Sequence, residues 1–443
     1  MKEKTKMNTI QIKNFGPVKK AEVDLEKKMQ ILIGAQASGK STVCKVVYFC
    51  QKIRDYTLEF LMDREQYTEN HQNEFFNNYL KCLTRQFMGC FGKTTHMQHF
   101  QIIYKFDGKQ ITIALNKDGY IRFQFSDSLK RGLNGLITEA SELFRGKMNS
   151  EEINTVYDNI KLLVLMRQQF REHLYNLFAN NADIIYIPAG RSLLATMSEQ
   201  LQDFSYSEMD LTMQEFMNLI RATKNKFGSK IPEIVKDYTK TVKGQINNAT
   251  LDMAYDLIKQ IFKADYTSEN DGEKIYFDER HWVKLMYGSS GQQEVLWILM
   301  LAFVIMLEKK KSFVIIEEPE AHLFPIAQKH IVNLIALMVN STESRAIITT
   351  HSPYILTSLN ILLYSDKVEG ETKGRDKAVV ARGIRLNYDS FAAYKLENTV
   401  DGTDNMKNLM DEESHMISTD YIDEVSSITN MELERLLDKE MDE

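Results

Sequence analysis

The chain has 443 residues, 43% apolar and 26% charged, with only 20 glycines and 6 prolines. That composition is globular, with room for two to four domains or one domain with a large insertion, and it excludes collagen-like and extensively disordered classes. The net charge of −6 is uneven: residues 401–443 hold 14 Asp/Glu against 3 Lys/Arg, and residues 1–400 carry +5. The acidic end reads either as a solvated segment or as one that masks a basic surface or docks a partner, and the charge alone does not imply nucleic-acid binding. Four cysteines (Cys44, Cys50, Cys82, Cys90) lack C-x-x-C spacing, which fits a reducing cytosol better than a disulfide framework or a zinc ribbon. The N-terminus MKEKTKMNTIQIKNFG has no apolar core of a secretory signal. The longest apolar run, Val295 to Leu307, is 13 residues. It is too short for a membrane span of about 20 and reads as a buried core helix.

In chain order, Thr9–Lys13 alternates as a strand, and Ile31–Ile33 is a short buried strand ending at Gly34. From Gly39 to about Gln51 the pattern is helical, with Val43, Val46, Val47 and Cys50 on one face. HFQIIYKF, ITIAL and YIRFQF, between residues 99 and 125, form a β-meander punctuated by Asp107-Gly108 and Asp118-Gly119. Glycine after Asp supplies the positive φ of a tight hairpin turn. A helix capped by Ser150 runs to about Phe178, and Asp183–Pro188 is a strand closed by proline. Helical stretches cover about Ser192–Lys224 and Ile231–Phe262. Residues 265–273 read as a loop, and Lys274–Phe277 with His281–Met286 as a hairpin. Helix Glu294–Leu307, strand Ser312–Ile316, helix Ile326–Met338 and strand Arg345–Thr349 then alternate. Such alternation predicts an α/β fold with a mainly parallel sheet.

Four segments carry chemistry. Gly34-Ala-Gln-Ala37-Ser38-Gly39-Lys40-Ser41-Thr42 fits G-x-x-x-x-G-K-[ST], between a strand and a helix. Its backbone N–H groups point at phosphate oxygens, Lys40 neutralises the β- and γ-phosphates, and the Ser41 hydroxyl suits Mg²⁺. Phe313-Val-Ile-Ile316 runs into adjacent carboxylates, Glu317 and Glu318. The first suits Mg²⁺ and the second a proton from attacking water, because successive strand residues face opposite ways. Ser289-Ser290-Gly291-Gln292, before a helix, reads either as a plain capped start or as a phosphate contact. His351, after the strand Ile347–Thr350, sits where open α/β sheets bind ligands, although a lone histidine is more often structural.

The order of the four is the strongest signal. It resembles the ABC-type ATPases of the SMC, RecF and OLD group, whose Walker A loop, signature, Walker B and switch histidine follow in that sequence. By that resemblance Ser290, Gly291 and Gln292 lie over the signature, with Ser290 as its phosphate-contacting serine. Glu317 takes the metal position, Glu318 matches the catalytic glutamate and His351 the γ-phosphate sensor. Glu317 replaces the usual Asp, Ser289 the leading Leu of the signature, and Gln292 its second Gly. These departures, with IQIKNFGPVKKAEVDL, YIPAGRS and EEPEAHLFP, look like OLD-like bacterial AAA-family ATPases rather than transporters. Arg191 is a candidate near the nucleotide; a Q-loop glutamine is not placed.

The resemblance covers 1–52 and 281–400. It implies an ABC-type core in two parts, with an antiparallel β-subdomain and a large, mostly helical insertion at 53–280. It also implies ATP and Mg²⁺ as ligands, ATP hydrolysis, a cytoplasmic homodimer that sandwiches ATP head to tail, and no membrane. OLD proteins add a Toprim nuclease, but Val368–Thr372 has only its superficial opening and reads as a polar loop. His96-x-x-His99 lacks further close ligands for a metal. Similar stand-alone ATPases, as in Septu and PARIS, pair with a separately encoded nuclease in anti-phage defence. The expectation is an ATP-driven sensor or clamp controlling such an effector. Alternatives are a RecF-like factor loaded on DNA, and a regulatory scaffold that binds nucleotide without turning it over.

Overall fold

The computed structural model describes residues 8–67, 74–94, 96–97, 99–116, 118–148, 156–192, 209–241, 247–371, 378–397, 404–418 and 431. Strands β1 (Asn8–Phe15), β2 (Val18–Asp24) and β3 (Met29–Gly34) precede helix α1 (Lys40–Met62). Then come α2 (Phe75–Phe91), β4 (Gln101–Phe106), β5 (Lys109–Leu115), β6 (Ile121–Phe125), α3 (Asp127–Met148), α4 (Val156–Phe178) and β7 (Asp183–Ile187). Helices α5 (Leu211–Lys224), α6 (Ile231–Thr241) and α7 (Asn248–Phe262) lead to β8 (Asp265–Glu269), β9 (Gly272–Tyr276) and β10 (Trp282–Lys284). The last part is α8 (Ser290–Leu307), β11 (Ser312–Glu317), α9 (Pro325–Thr342), β12 (Arg345–Thr350), α10 (Pro353–Glu371), β13 (Phe391–Leu396) and β14 (Met406–Asn408).

The central sheet has the order β14-β13-β3-β12-β11-β7, parallel except for β14. Its inner strands β3, β11 and β12 are almost wholly buried, as strands covered on both faces require. Alternation sends Ile31, Ile33, Val314, Ile316 and Ile348 to a core shared with α7 to α10. Leu32, Phe313, Ile315 and Ile347 face a second core built on α1. Helix α8 is apolar all round and buried from Gln293 to Leu307, so the long apolar run is a core helix. Among the described residues it is the one helix long and apolar enough to cross a membrane.

The second sheet is antiparallel, β2-β1-β4-β5-β6. The expected meander is β4 to β6, and β4 continues the pairing begun at the N-terminus, with Ile10 opposite Tyr104. Helices α2, α3 and α4 pack around α1. Aromatic edges fill the gap: Phe49 meets Phe87 at 5.1 Å, and Phe15 meets Phe91 and Phe100 at 4.9 Å each.

Several expectations need correction. Residues 265–273 are not a loop: β8 and β9 form a hairpin, with Tyr266 buried edge-on against Trp297 at 5.9 Å. The polar run DYTSEN hides a strand whose only buried residues are Tyr266 and Thr267. Val368 to Glu371 is helical, the end of α10, not a loop; Thr372 lies outside the described residues. Ser150, expected as a cap, also lies outside them, as does residue range 193–208 of the Ser192–Lys224 stretch. Its described part is α5, capped by Asp210, which accepts from the Thr212 and Met213 amides. The acidic end is not wholly solvated either. Asn405 is fully buried, accepts from the Lys19 and Lys20 amides at 2.6 and 2.9 Å, and anchors β14 beside β13.

Candidate nucleotide site

Three neighbouring parallel strands end level with one another. Ile33 of β3 lies opposite Thr350 of β12, and Thr349 opposite Glu317 of β11. Their tips therefore deliver the Gly34–Ser41 loop, His351 and the Glu317–Glu318 pair to one edge, with the His351 strand in the middle. This carboxyl edge is where parallel α/β sheets bind ligands.

The loop passes under the β1–β2 turn. Gly39 has φ +97°, and a Cβ there would sit 2.8 Å from Val18 Cγ2, so glycine is required on both counts. No side chain caps α1, which leaves the N–H groups of its first turn for an anion. Lys40 is 6% exposed and donates to the Gly34 and Ala35 carbonyls at 2.9 Å each. Burial draws its pKa below the usual value, opposed chiefly by the carboxylate of Glu318. A cavity of about 340 Å³ opens here, lined by Pro17, Gln36, Ala37, Ser38, Gly39, Lys40, Ser41, Thr42, Glu318 and His351.

The two carboxylates divide as strand alternation demands. Glu317 is buried; its Oε2 accepts from the Ala189 amide at 3.2 Å, and its Oε1 has no partner. Ser38 Oγ is likewise buried and unpartnered. Orphaned buried oxygens need an explanation, and a cation with a phosphate supplies one. Ser41 lines the cavity and Glu317 does not, although both are oxygen donors of the type Mg²⁺ takes. Glu318 leaves the strand with φ +44°, held by its N–H to the Thr349 carbonyl at 3.0 Å, and its Oε1 lies 3.3 Å from His351 Nε2. A non-glycine residue at positive φ is strained and persists only where its surroundings fix it.

Sequence reasoning missed Glu320. Its Oε1 accepts from Thr350 Oγ1 at 2.7 Å and from the His351 amide at 2.8 Å, which fixes the histidine's backbone beside Glu318. Burial pushes the Glu320 carboxyl above the usual range, with the Thr350 bond opposing. The available signal was a third acid two positions after Glu318 in EEPE. Pro17 and Gln36 were also missed. Arg191 does not line the cavity and is fully buried.

Ser290, Gly291 and Gln292 do not line this cavity either. Ser289 caps α8 in a capping box, its Oγ accepting from the Gln292 amide at 3.3 Å while Gln292 Oε1 accepts from the Ser289 amide at 3.2 Å. Gln292 Nε2 also donates to the Phe262 carbonyl at 3.1 Å, so Gln292 is engaged within its own chain. Ser290, the first helical residue, is exposed. A Cβ on Gly291 would meet the His322 carbonyl at 2.7 Å, which puts the helix start against the segment that follows Glu318.

The model of the AAA ATPase domain family matches residues 6–356. The chain belongs to the AAA ATPase domain family. It shares the mixed α/β architecture and the nucleotide loop expected of an ATP-binding ATPase domain. Solved structures similar to it include an SMC head bound to the C-winged helix domain of ScpA, at TM-score 0.39 and 13% identity over 92% of this chain and 99% of that one. Another is the SMC head domain from Thermotoga maritima, at TM-score 0.35 and 11% identity over 91% and 98%. No curated protein matches the chain.

Proposed function

We propose that this family member is a Mg²⁺-dependent, ABC-type ATPase of the OLD-like group. It works as an ATP-driven sensor or clamp that controls a separately encoded nuclease in bacterial anti-phage defence. The observation that carries the ATPase reading is the single cavity that Lys40, Glu318 and His351 line together, with Glu318 and His351 3.3 Å apart. Lys40 turns from the Gly34 and Ala35 carbonyls to the β- and γ-phosphates. Ser41 and Glu317 would hold Mg²⁺, which when bound would offset phosphate charge. Glu318 takes the proton of the attacking water, and His351 donates to the γ-phosphate; positioning and charge do most of the work in such transfers.

Two copies complete the site head to tail, each bringing Ser290 to the other's ATP. Exposed apolar side chains near the edge support such a contact: Tyr287 before α8, Phe324 after the carboxylates and Tyr354 after His351. The protein acts in the cytoplasm, and DNA is a further candidate ligand of its body.

The test is phosphate release from ATP with and without Mg²⁺. Glu318→Gln should bind ATP and hydrolyse it roughly 10²–10⁴-fold more slowly, the range for loss of a general base. Hydrolysis at the wild-type rate would remove Glu318 from this role. For the effector, the neighbouring reading frames are to be searched for a nuclease, and co-expression with it should yield a complex whose DNA cleavage requires ATP; absence of such a frame, or cleavage indifferent to Lys40→Ala, would end that reading.

A further inference from the structure

Among the described residues Arg191 is the most completely engaged buried cation, and it does not line the nucleotide cavity. The chain leaves β7, turns at Gly190 (φ +72°) and drives the Arg191 side chain behind the tip of β11. The guanidinium donates to four carbonyl oxygens on three segments. Nε reaches Glu294 O at 2.8 Å and Nη1 reaches Pro188 O at 2.6 Å. Nη1 also reaches Glu317 O at 2.7 Å, and Nη2 reaches Glu318 O at 3.1 Å. The lock is reciprocal. Glu294 accepts from the Arg191 and Ser192 amides at 3.0 Å each, and its Oε2 lies 3.4 Å from Arg191 Nε.

Two features give this arrangement a functional direction. Glu318 sits at positive φ, so its peptide needs external clamps, and the guanidinium holds the carbonyls of both carboxylate residues. Glu294, one turn into α8, belongs to the helix that begins at Ser290. Burying a charge is expensive unless its donors are satisfied, and a planar fork of fixed donors satisfies several carbonyls where an ammonium serves fewer.

We infer that Arg191 is a positioning residue for hydrolysis: it ties the Ser290 helix to the peptide of Glu318 and holds the Glu318 carboxylate in line with His351. The inference rests on Glu318 being the base. Any shift of α8 reaches the Glu318 peptide through one rigid guanidinium.

Arg191→Lys keeps the charge and loses the fork. Four proteins are compared by single-turnover hydrolysis and by titration with a fluorescent ATP analogue: wild type, Arg191→Lys, Glu318→Gln and the double variant. Arg191→Lys should bind the analogue within about twofold of wild type and hydrolyse at least tenfold more slowly. In the Glu318→Gln background it should change the residual rate less than twofold, because residues acting through one another are non-additive. A purely structural arginine would instead slow both backgrounds by the same factor, and that result, or a wild-type rate in Arg191→Lys, overturns the inference. If Glu318→Gln itself hydrolyses like wild type, the base assignment fails first and this inference falls with it. Should Arg191→Lys not fold, Glu294→Gln, which keeps the shape but only one of the two acceptor oxygens and so loosens the same lock from the α8 side, replaces it in the same cycle with the same expected and refuting outcomes.

Discussion

Mixing two inactive variants tests where Ser290 acts. Lys40→Ala removes the ammonium from every phosphate loop. Ser290→Arg puts a large cation at the start of every α8. The structure makes both substitutions mild for the fold. Ser290 is exposed, and the cap of α8 is Ser289, so an arginine at 290 leaves the capping box intact and should alter stability by no more than about 0.5 kcal/mol. Lys40→Ala gives up two hydrogen bonds to loop carbonyls, worth about 1 kcal/mol each. Each variant alone damages both sites of a head-to-tail dimer. In an equimolar mixture about half the dimers are mixed, and each mixed dimer has one site with both lesions and one with none. Independent sites should therefore restore about a quarter of wild-type ATPase activity. The assay is phosphate release as a function of mixing ratio, with the mixed dimer quantified by differential tagging. No recovery despite verified mixed dimers, or recovery without any dimer, refutes the shared-site reasoning.

Four further outcomes are expected. Chelation of divalent cations with EDTA should abolish hydrolysis, and added Mg²⁺ should restore it; an unchanged rate in EDTA would remove Ser41 and Glu317 from metal binding. Gly291→Ala places a Cβ 2.7 Å from the His322 carbonyl, an overpacking that should destabilise the chain by about 1–3 kcal/mol in urea unfolding, and an unchanged midpoint would contradict the close approach. Asn405→Ala strips the acceptor from two part-buried amides and should lose about 2 kcal/mol, so truncation before residue 404 should lower the melting temperature, whereas truncation after Ser418 keeps Asn405. That shorter truncation still removes most of the acidic excess and should raise affinity for duplex DNA in low salt by anisotropy; identical affinities would leave the segment without a masking role.

The elements with strong local signals were legible in the sequence. The phosphate loop needs a fixed spacing of glycines and Lys40, and α8 advertises itself by 13 consecutive apolar residues. That the paired acids at the tip of β11 face different surroundings was readable from strand alternation alone. Weaker elements escaped. In β2, charged residues fall between the inward Val18, Ala21 and Val23, which breaks the alternation. In β13, two alanines dilute a pattern that only its neighbour β3 makes sense of. The supports of the site were the least legible. Arg191 and Glu320 work through contacts between segments about 30 to 130 residues apart, and no local periodicity records such convergence.

One helix has a double allegiance. The first residues of α1 frame the phosphate loop, while its remaining turns form the axis around which α2, α3 and α4 are wound, and β4 is stitched to the opening strand of the chain. The lobe made of α2, α3, α4 and the β4–β6 meander is therefore not cargo that could be snipped off to leave a minimal ATPase. Trimming it would bare the aromatic flank of the helix that holds the nucleotide and leave β1 with an open edge. It also means that a grip on the lobe is a grip on α1, so whatever docks there has a mechanical handle on the nucleotide without approaching it.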